Sequence, residues 1–190
     1  SYVKTVFDVR DIPVENLPYL GLFANMIGLV DTQNYSYGEL FNEVNLETGG
    51  ISFSVSGYSK IQNPDEFALV AEMRGKAFDH KTKELLSLMS EMLYTSDFSD
   101  EKRLKEILGE LKSRMQARMT GAGHSLALMR AGSYYSEATW TDDKIKGLDF
   151  YRFITGILSD FEEKKEECIS KLDEVRSFIL HKCRVLYDFT

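Results

Sequence analysis

The stretch that decides the fold is residues 34–58, NYSYGELFNEVNLETGGISFSVSGY, where a helical pattern changes to a strand pattern. The first half predicts a short helix over residues 37–46. Gly49 and Gly50 then predict the helix end, because glycine adopts the left-handed backbone conformation without a steric penalty. Residues 51–56, ISFSVS, alternate apolar and small polar side chains, as a strand with one buried face does.

The chain before this stretch supplies a strand and an apolar helix. Residues 2–12 alternate in polarity, and Pro13 ends the strand because proline cannot donate to a ladder. Asn16 is predicted to cap the following helix, with Pro18 in its first turn. That helix is nearly uncharged over residues 17–30, which predicts burial on more than one side.

The chain after this stretch carries one more strand and then mostly helices. A turn is predicted at residues 62–64 and a strand at 67–78, where a helix remains an alternative. Further on we predict helices over 81–94, 101–131, 148–160 and 162–181, an irregular aromatic segment over 134–146 and a last strand over 183–189. In the long helix, residues 121–123 (Gly-Ala-Gly) predict a kink or a close helix contact, since each glycine weakens a helix by about 1 kcal/mol.

Strands and helices follow one another in runs, which predicts an α+β fold. We expect a mostly antiparallel sheet of about four or more strands, with helices packed on one face and a long helical hairpin region. The 190 residues, 43% apolar and 28% charged, are predicted to form a single domain.

The net charge of −7 disfavours duplex nucleic acid and acidic membrane surfaces as partners, because both require a basic footprint. No run approaches the roughly 20 apolar residues of a membrane span. The two cysteines, Cys168 and Cys183, have neither the CxxC spacing nor a zinc-like spacing, so we predict free thiols.

The residues themselves indicate no catalytic and no metal site. The three histidines, His80, His124 and His181, lie far apart, whereas a helical zinc site needs two histidines four residues apart. We predict that they are surface or helix-end residues. The chain contains no nucleophile elbow, no phosphate-binding loop and no dinucleotide fingerprint.

The candidate peptide-contacting residues are Ser52, Ser54, Ser56, Tyr134, Tyr135 and Trp140. The three serines share one strand face, and small hydroxyl side chains let a peptide or a helix lie close. We favour the arrangement in which helices of the domain itself cover this serine face. The three aromatic residues lie between predicted helices, where such residues can line a ligand surface. A satellite core is the favoured interpretation for them.

Residues 34–40 (NYSYGEL) and 48–54 (TGGISFS) resemble the presequence-protease-type zinc peptidases, a branch of the pitrilysin/insulinase-like clan. The similarity is to their third, non-catalytic (peptidase-associated) domain, and it runs in order along nearly the whole chain. The supporting matches are VFDVRDIP at 6–13, LPYL at 17–20, DF at 97–98, KRLKEIL at 102–108, GH at 123–124, RA at 130–131 and GLDFY at 147–151.

The resemblance implies an inverted-zincin-type half-domain, with residues 1–190 a fragment of a larger four-domain peptidase. In the catalytic half of this clan, a helix with His-x-x-Glu-His binds zinc and activates water. The helix over residues 17–30 has the comparable place here and contains neither histidine nor glutamate. The resemblance therefore implies no catalytic residue and no cofactor in this segment, with zinc in the catalytic half of the parent.

We therefore expect a non-catalytic substrate-chamber domain of a zinc-dependent oligopeptidase that degrades short unstructured peptides. The segment should be inactive alone, although its parent would be a zinc metalloendopeptidase. The implied partners are other domains of the same chain and the oligopeptide. The implied location is the bacterial cytoplasm, or the mitochondrial matrix or another organelle in a eukaryote. The alternative function is a self-standing helical binding or scaffold module without catalysis.

Overall fold

The computed structural model describes residues 1–59 and 67–190 and confirms the α+β class. The predicted turn at 62–64 lies outside the described residues. In chain order the elements are β1 (Tyr2–Asp8), α1 (Leu17–Met26), α2 (Tyr37–Glu47), β2 (Ile51–Ser59), β3 (Phe67–Lys76), α3 (Thr82–Thr95), α4 (Glu101–Gly132), α5 (Glu137–Lys146), α6 (Leu148–Ser159), α7 (Phe161–His181) and β4 (Arg184–Phe189). Short 3-10 turns, Val14–Asn16 and Asp79–Lys81, precede α1 and α3.

The four strands form one antiparallel sheet in the order β2-β3-β1-β4. Side chains alternate between the two faces of a strand, so one face of each central strand enters the core. On β1 and β3 this buried face carries Val3, Phe7, Ala71 and Met73. Helices α1 and α5 pack against β2, and α3 packs against β3. The helices therefore cover one face of the sheet.

The turn between α2 and β2 differs in detail from the predicted glycine cap. Helix α2 ends at Glu47, and the residue that caps it is Thr48 in an extended conformation. The Thr48 hydroxyl donates to the carbonyl of Val44 at 2.6 Å and accepts from the amide of Gly50 at 3.0 Å. Gly50 has a φ of 118°, so glycine is required in the turn that enters β2 and not at the helix end.

The segment predicted to be irregular, residues 134–146, is mostly helix, so that prediction was wrong. Helix α5 begins after Ser136, whose hydroxyl accepts from the amide of Thr139 at 3.4 Å. One side of the helix is buried and carries Thr141, Asp143 and Ile145. Burial of this side stabilises a helix whose sequence has only a weak apolar stripe.

Asn16 does not cap α1, which corrects a second prediction. Its side-chain amide donates to Glu174 Oε1 at 2.7 Å, and its oxygen accepts from Lys171 Nζ at 3.1 Å. Both partners lie on α7, so Asn16, which is 1% exposed, ties the start of α1 to that helix. The buried polar group is thus satisfied by tertiary contacts and not by its own helix.

The long helix α4 is kinked where the sequence predicted it. Ala122, between Gly121 and Gly123, has the non-helical angles φ −139° and ψ 36°. Strand β4 forms the sheet edge opposite β2, and apolar side chains on both of its faces are exposed, among them Leu186 and Tyr187. Among the described helices, none is both long enough and apolar enough to cross a bilayer.

Candidate peptide-contacting surface

Helix α1, which the resemblance compares with the zinc-binding helix of the catalytic half, is a core helix here. Leu20, Phe23 and Met26 are fully buried. Gly21 allows close approach to α5, since a Cβ at this position would lie 2.2 Å from the carbonyl oxygen of Ile145. The described ranges, 1–59 and 67–190, hold no group of three or more His, Cys, Asp or Glu placed to bind a metal. The residues of α1 do not fit a zinc site.

The three histidines lie on the surface, as predicted. His80 is exposed and stacks on Phe78 with ring centroids 5.9 Å apart. His124 is exposed on α4, and His181 is the last residue of α7. The two cysteines are free, also as predicted.

The serine face of β2 is open, so the favoured arrangement with helices over it was wrong. Ser52 and Ser54 are exposed and Ser56 is partly buried. The helices lie on the opposite face, where Phe53 packs edge-to-face on Phe23 with ring centroids 5.5 Å apart. All the described helices lie on that opposite face, so the serine hydroxyls remain accessible to solvent.

A charged group that sequence reasoning missed lies beside the serines on the same open face. Ser54 is opposite Glu72 in the register, and Ser52 is opposite Arg74. Glu72 is 3% exposed and binds Lys4 Nζ at 2.8 Å as well as the guanidinium of Arg74. Burial alone would raise the pKa of Glu72, but the hydrogen bonds and charges of Lys4 and Arg74 outweigh it and lower that pKa. The sequence did contain a signal for this group, because charged residues alternate along the polar face of β1 and β3.

The candidate aromatic residues divide into two kinds. Tyr134 is 73% exposed and Tyr135 is 92% exposed, so neither belongs to a satellite core. Trp140 is half-buried and packs against the main core. The Arg130 guanidinium carbon lies 5.6 Å from the ring centroid of Tyr134, which is within cation–π range. The two tyrosines are therefore available to a partner, whereas Trp140 is largely structural.

Helix α5 connects the two candidate surfaces. It follows the turn that bears the tyrosines and packs on β2 at Gly57, where a Cβ would lie 3.6 Å from the carbonyl oxygen of Ala138. The structure thus brings the helix of Trp140 against the strand of the serines.

A buried ionic network explains the residues RA at 130–131 and GLDFY at 147–151. Asp143 is 1% exposed; its Oδ2 accepts from Arg130 Nη1 at 2.7 Å and its Oδ1 from the Leu148 amide at 2.7 Å. Asp149 pairs with Lys144 Nζ at 2.8 Å, and this hydrogen bond is the main cause of its lowered pKa. These residues join α4, α5 and α6, so their role is structural.

The first recognisable block also has a structural role. Ser36 and Glu39 form a capping box at the start of α2: the Ser36 amide donates to Glu39 Oε2 at 2.9 Å, and the Ser36 hydroxyl accepts from the Glu39 amide at 3.4 Å. The second block supplies Gly50 and strand β2. Both blocks therefore fix the backbone where helix α2 begins and where strand β2 begins.

The structure is an α+β domain: an antiparallel sheet has helices on one face, the long helix is kinked, and the apolar helix α1 carries no metal ligand. The family described as the associated domain of metallopeptidase family 16, subfamily C, matches residues 1–157, and the chain belongs to this family.

The chain is 32% identical to Protein HypA of Clostridium perfringens over 190 residues, which is 100% of this chain and 19% of that protein. It is 29% identical to the mitochondrial presequence protease of Yarrowia lipolytica over 181 residues, 95% of this chain and 18% of that protein. The chain thus spans about a fifth of the length of these curated relatives. A conserved protein from Enterococcus faecalis V583 has the same fold, with a TM-score of 0.62 and 14% identity over 98% of this chain and 42% of that one.

Proposed function

We propose that this chain is a non-catalytic wall of the substrate chamber in a zinc-dependent oligopeptidase that degrades short unstructured peptides. The observation that carries the proposal is its membership of a peptidase-associated family, combined with an α1 that is apolar and buried. A relative that is named a presequence protease supports a peptide as the substrate.

In this proposal residues 1–190 are the third of four domains of the parent peptidase. The partners are the other domains and the oligopeptide, and the zinc belongs to the catalytic half. The parent would work in the bacterial cytoplasm, or in the mitochondrial matrix if it is eukaryotic. Both locations are compatible with the relatives from Clostridium perfringens and from the mitochondria of Yarrowia lipolytica.

The peptide would meet the open face of β2 and the turn before α5. The exposure of Ser52, Ser54, Tyr134 and Tyr135 supports this assignment, since a contacting residue must be reachable. Ser56 and Trp140 are partly buried and would line the edge of the contact.

The test uses the full-length parent. Ser54→Trp should raise KM for a short peptide several-fold and leave kcat and zinc content unchanged, because a bulky side chain would obstruct binding without touching the chemistry. Ser177→Trp on the exposed side of α7 is the matched control and should change neither constant. An unchanged KM in Ser54→Trp would contradict the proposed contact.

A second measurement uses residues 1–190 alone. We expect no zinc by elemental analysis and no peptide hydrolysis. Stoichiometric zinc, or turnover that persists through purification, would contradict the non-catalytic role. A natural reading frame that encodes little more than these residues would favour the self-standing binding or scaffold module.

A further inference from the structure

We propose that the free edge of β2 binds an extended peptide as an additional antiparallel or parallel strand. This inference rests on the proposed function and specifies how the peptide would be held. Strand β2 is at one end of the sheet order, so one side of its backbone has no neighbouring strand in the described chain.

The hydrogen-bond pattern identifies which backbone groups face this edge. Tyr2 and Thr190 exchange two hydrogen bonds, at 2.6 and 3.0 Å, so the even-numbered residues of β1 bind β4. Ser1 and Ala77 exchange bonds of 2.9 and 3.0 Å, so the odd-numbered residues bind β3. Consecutive residues of a strand bond to opposite sides, and the register can therefore be followed across the sheet.

On β3 the odd-numbered residues bond to β1, so the even-numbered ones bond to β2. Ser52 pairs with Arg74, and Ser54 pairs with Glu72. The residues of β2 that direct their N–H and C=O groups outward are therefore Ile51, Phe53 and Val55. Outside the strand ladders, no hydrogen bond among the described residues uses the backbone of these three.

Over residues 51–58 this edge lacks two common protections against strand addition, charged side chains and proline. Natural edge strands carry charged side chains, proline or bulges that prevent pairing with another chain. Residues 51–58, ISFSVSGY, contain neither a charged residue nor proline. The opposite edge strand, β4, carries Arg184 and Asp188. An unprotected edge favours main-chain pairing with a peptide.

The occupant that fits is a short extended peptide with apolar side chains at alternate positions. On the helix side, Ile51 and Phe53 are only partly buried and offer apolar contact. On the open side, Ser52 and Ser54 are small and exposed, so larger peptide side chains fit beside them. A second copy of the chain is disfavoured because each copy carries a net charge of −7.

The test measures binding of a fluorescein-labelled peptide, acetyl-KVTVTVTK-amide, to residues 1–190 by anisotropy. Two derivatives are compared, one N-methylated at every valine and one N-methylated at every threonine. In strand pairing the N–H groups of alternate peptide residues, either all the valines or all the threonines, must point toward β2. The derivative that is methylated at those residues should bind about tenfold or more weakly than the parent peptide, and the other derivative should bind about as tightly as the parent peptide. Binding in a pocket would not give this dependence on parity.

A pair of protein variants tests the same contact from the other side. Phe53→Pro and Phe53→Ala both lose the aromatic ring, but only proline also removes the outward N–H. We expect Phe53→Pro to bind the peptide at least threefold more weakly than Phe53→Ala. Ile51→Pro and Ile51→Ala repeat the comparison at the first residue of the strand, where proline is tolerated. Circular dichroism checks that each variant is folded.

Equal binding of the two N-methylated derivatives, or equal binding within both variant pairs, would overturn edge pairing and leave the proposed chamber role intact. A dimer in sedimentation that Phe53→Pro dissociates would also overturn it, by assigning the edge to a second copy. If the unmodified peptide does not bind to the unmodified chain, edge pairing is also overturned. The proposed function is decided separately, by the KM of Ser54→Trp in the parent.

Discussion

Asn34 binds both oxygens of the Glu91 carboxylate: its backbone amide donates to Oε1 at 2.9 Å and its side-chain amide donates to Oε2 at 2.9 Å. The contact joins the loop before α2 to the last turns of α3. Burial is the largest single influence on the pKa of Glu91 and raises it, but the hydrogen bonds, chiefly from Asn34, together lower it. Asn34, the first residue of the stretch 34–58, therefore holds together two parts of the fold that are distant in sequence.

Asn34→Ala should reduce the free energy of unfolding by about 1 kcal/mol at pH 7, a modest value because the pair is solvent-screened. The folded-state pKa of Glu91 is lowered, so its stabilisation is present above the unfolded-state pKa and is lost as pH falls through the folded-state pKa. Glu91→Gln should reduce the loss of stability below about pH 4.5, measured by urea unfolding. Glu84→Gln, on the exposed side of α3, is the control.

Asp143→Ala should reduce the free energy of unfolding by about 2–3 kcal/mol, because it removes a buried ion pair and the acceptor for the Leu148 amide. Chemical denaturation measures this value. Asp173→Ala removes an exposed carboxylate that pairs with Arg176 on α7, and it should have a much smaller effect. Similar values for the two variants would show that the network does not hold α4, α5 and α6 together.

Gly21→Ala should destabilise the domain by about 2–3 kcal/mol, since the new methyl group would overlap the carbonyl of Ile145 and force α1 away from α5. Gly109→Ala is the matched control within a helix, because no neighbouring atom lies within 4 Å of its Cβ position. Gly109→Ala should raise the free energy of unfolding by about 0.5–1 kcal/mol, because alanine has fewer backbone conformations than glycine in the unfolded chain. Thermal unfolding should give a lower midpoint temperature for Gly21→Ala and a higher one for Gly109→Ala than for the unmodified chain.

The sequence predicted the strands and most helices because their apolar periodicity reports burial directly. Helix α5 was missed because Thr139, Trp140 and Thr141 have low intrinsic helix propensity and its apolar stripe is short. Signals for it were present in Ser136 as N-cap and Gly147 after the last turn. Its stability comes from contacts with α1 and α6, and local periodicity does not contain these contacts.

The candidate surface was predicted by residue type but not by environment. Alternation places Ser52 and Ser54 on one face of β2, yet it does not say which face the helices cover. The exposure of Tyr134 and Tyr135 likewise depends on how the turn after α4 projects. The charges of Lys4, Glu72 and Arg74 are visible in the sequence, but the burial of Glu72 depends on the register of β1 and β3, which a single sequence does not reveal.

The cysteines should react slowly with a disulfide reagent in the folded protein. Burial raises the pKa of Cys168 to about 12 and that of Cys183 to about 11, so little thiolate forms at neutral pH. We expect Cys183, which is partly exposed, to react before Cys168, and both rates to rise with pH beyond 9. Glutathione provides the reference rate. A plateau near pH 8.5 for the folded protein would contradict the raised pKa values.

Strand β4 should make the solubility of the isolated chain depend on salt concentration. Leu186 on one face and Tyr187 on the other are 62% and 74% exposed, so this edge presents apolar surface to which another molecule can bind. At low ionic strength the net charge of −7 keeps the molecules apart. Salt shortens the Debye length to about 10 Å at 0.1 M and weakens this repulsion. Added salt therefore promotes association of the chain and lowers its solubility.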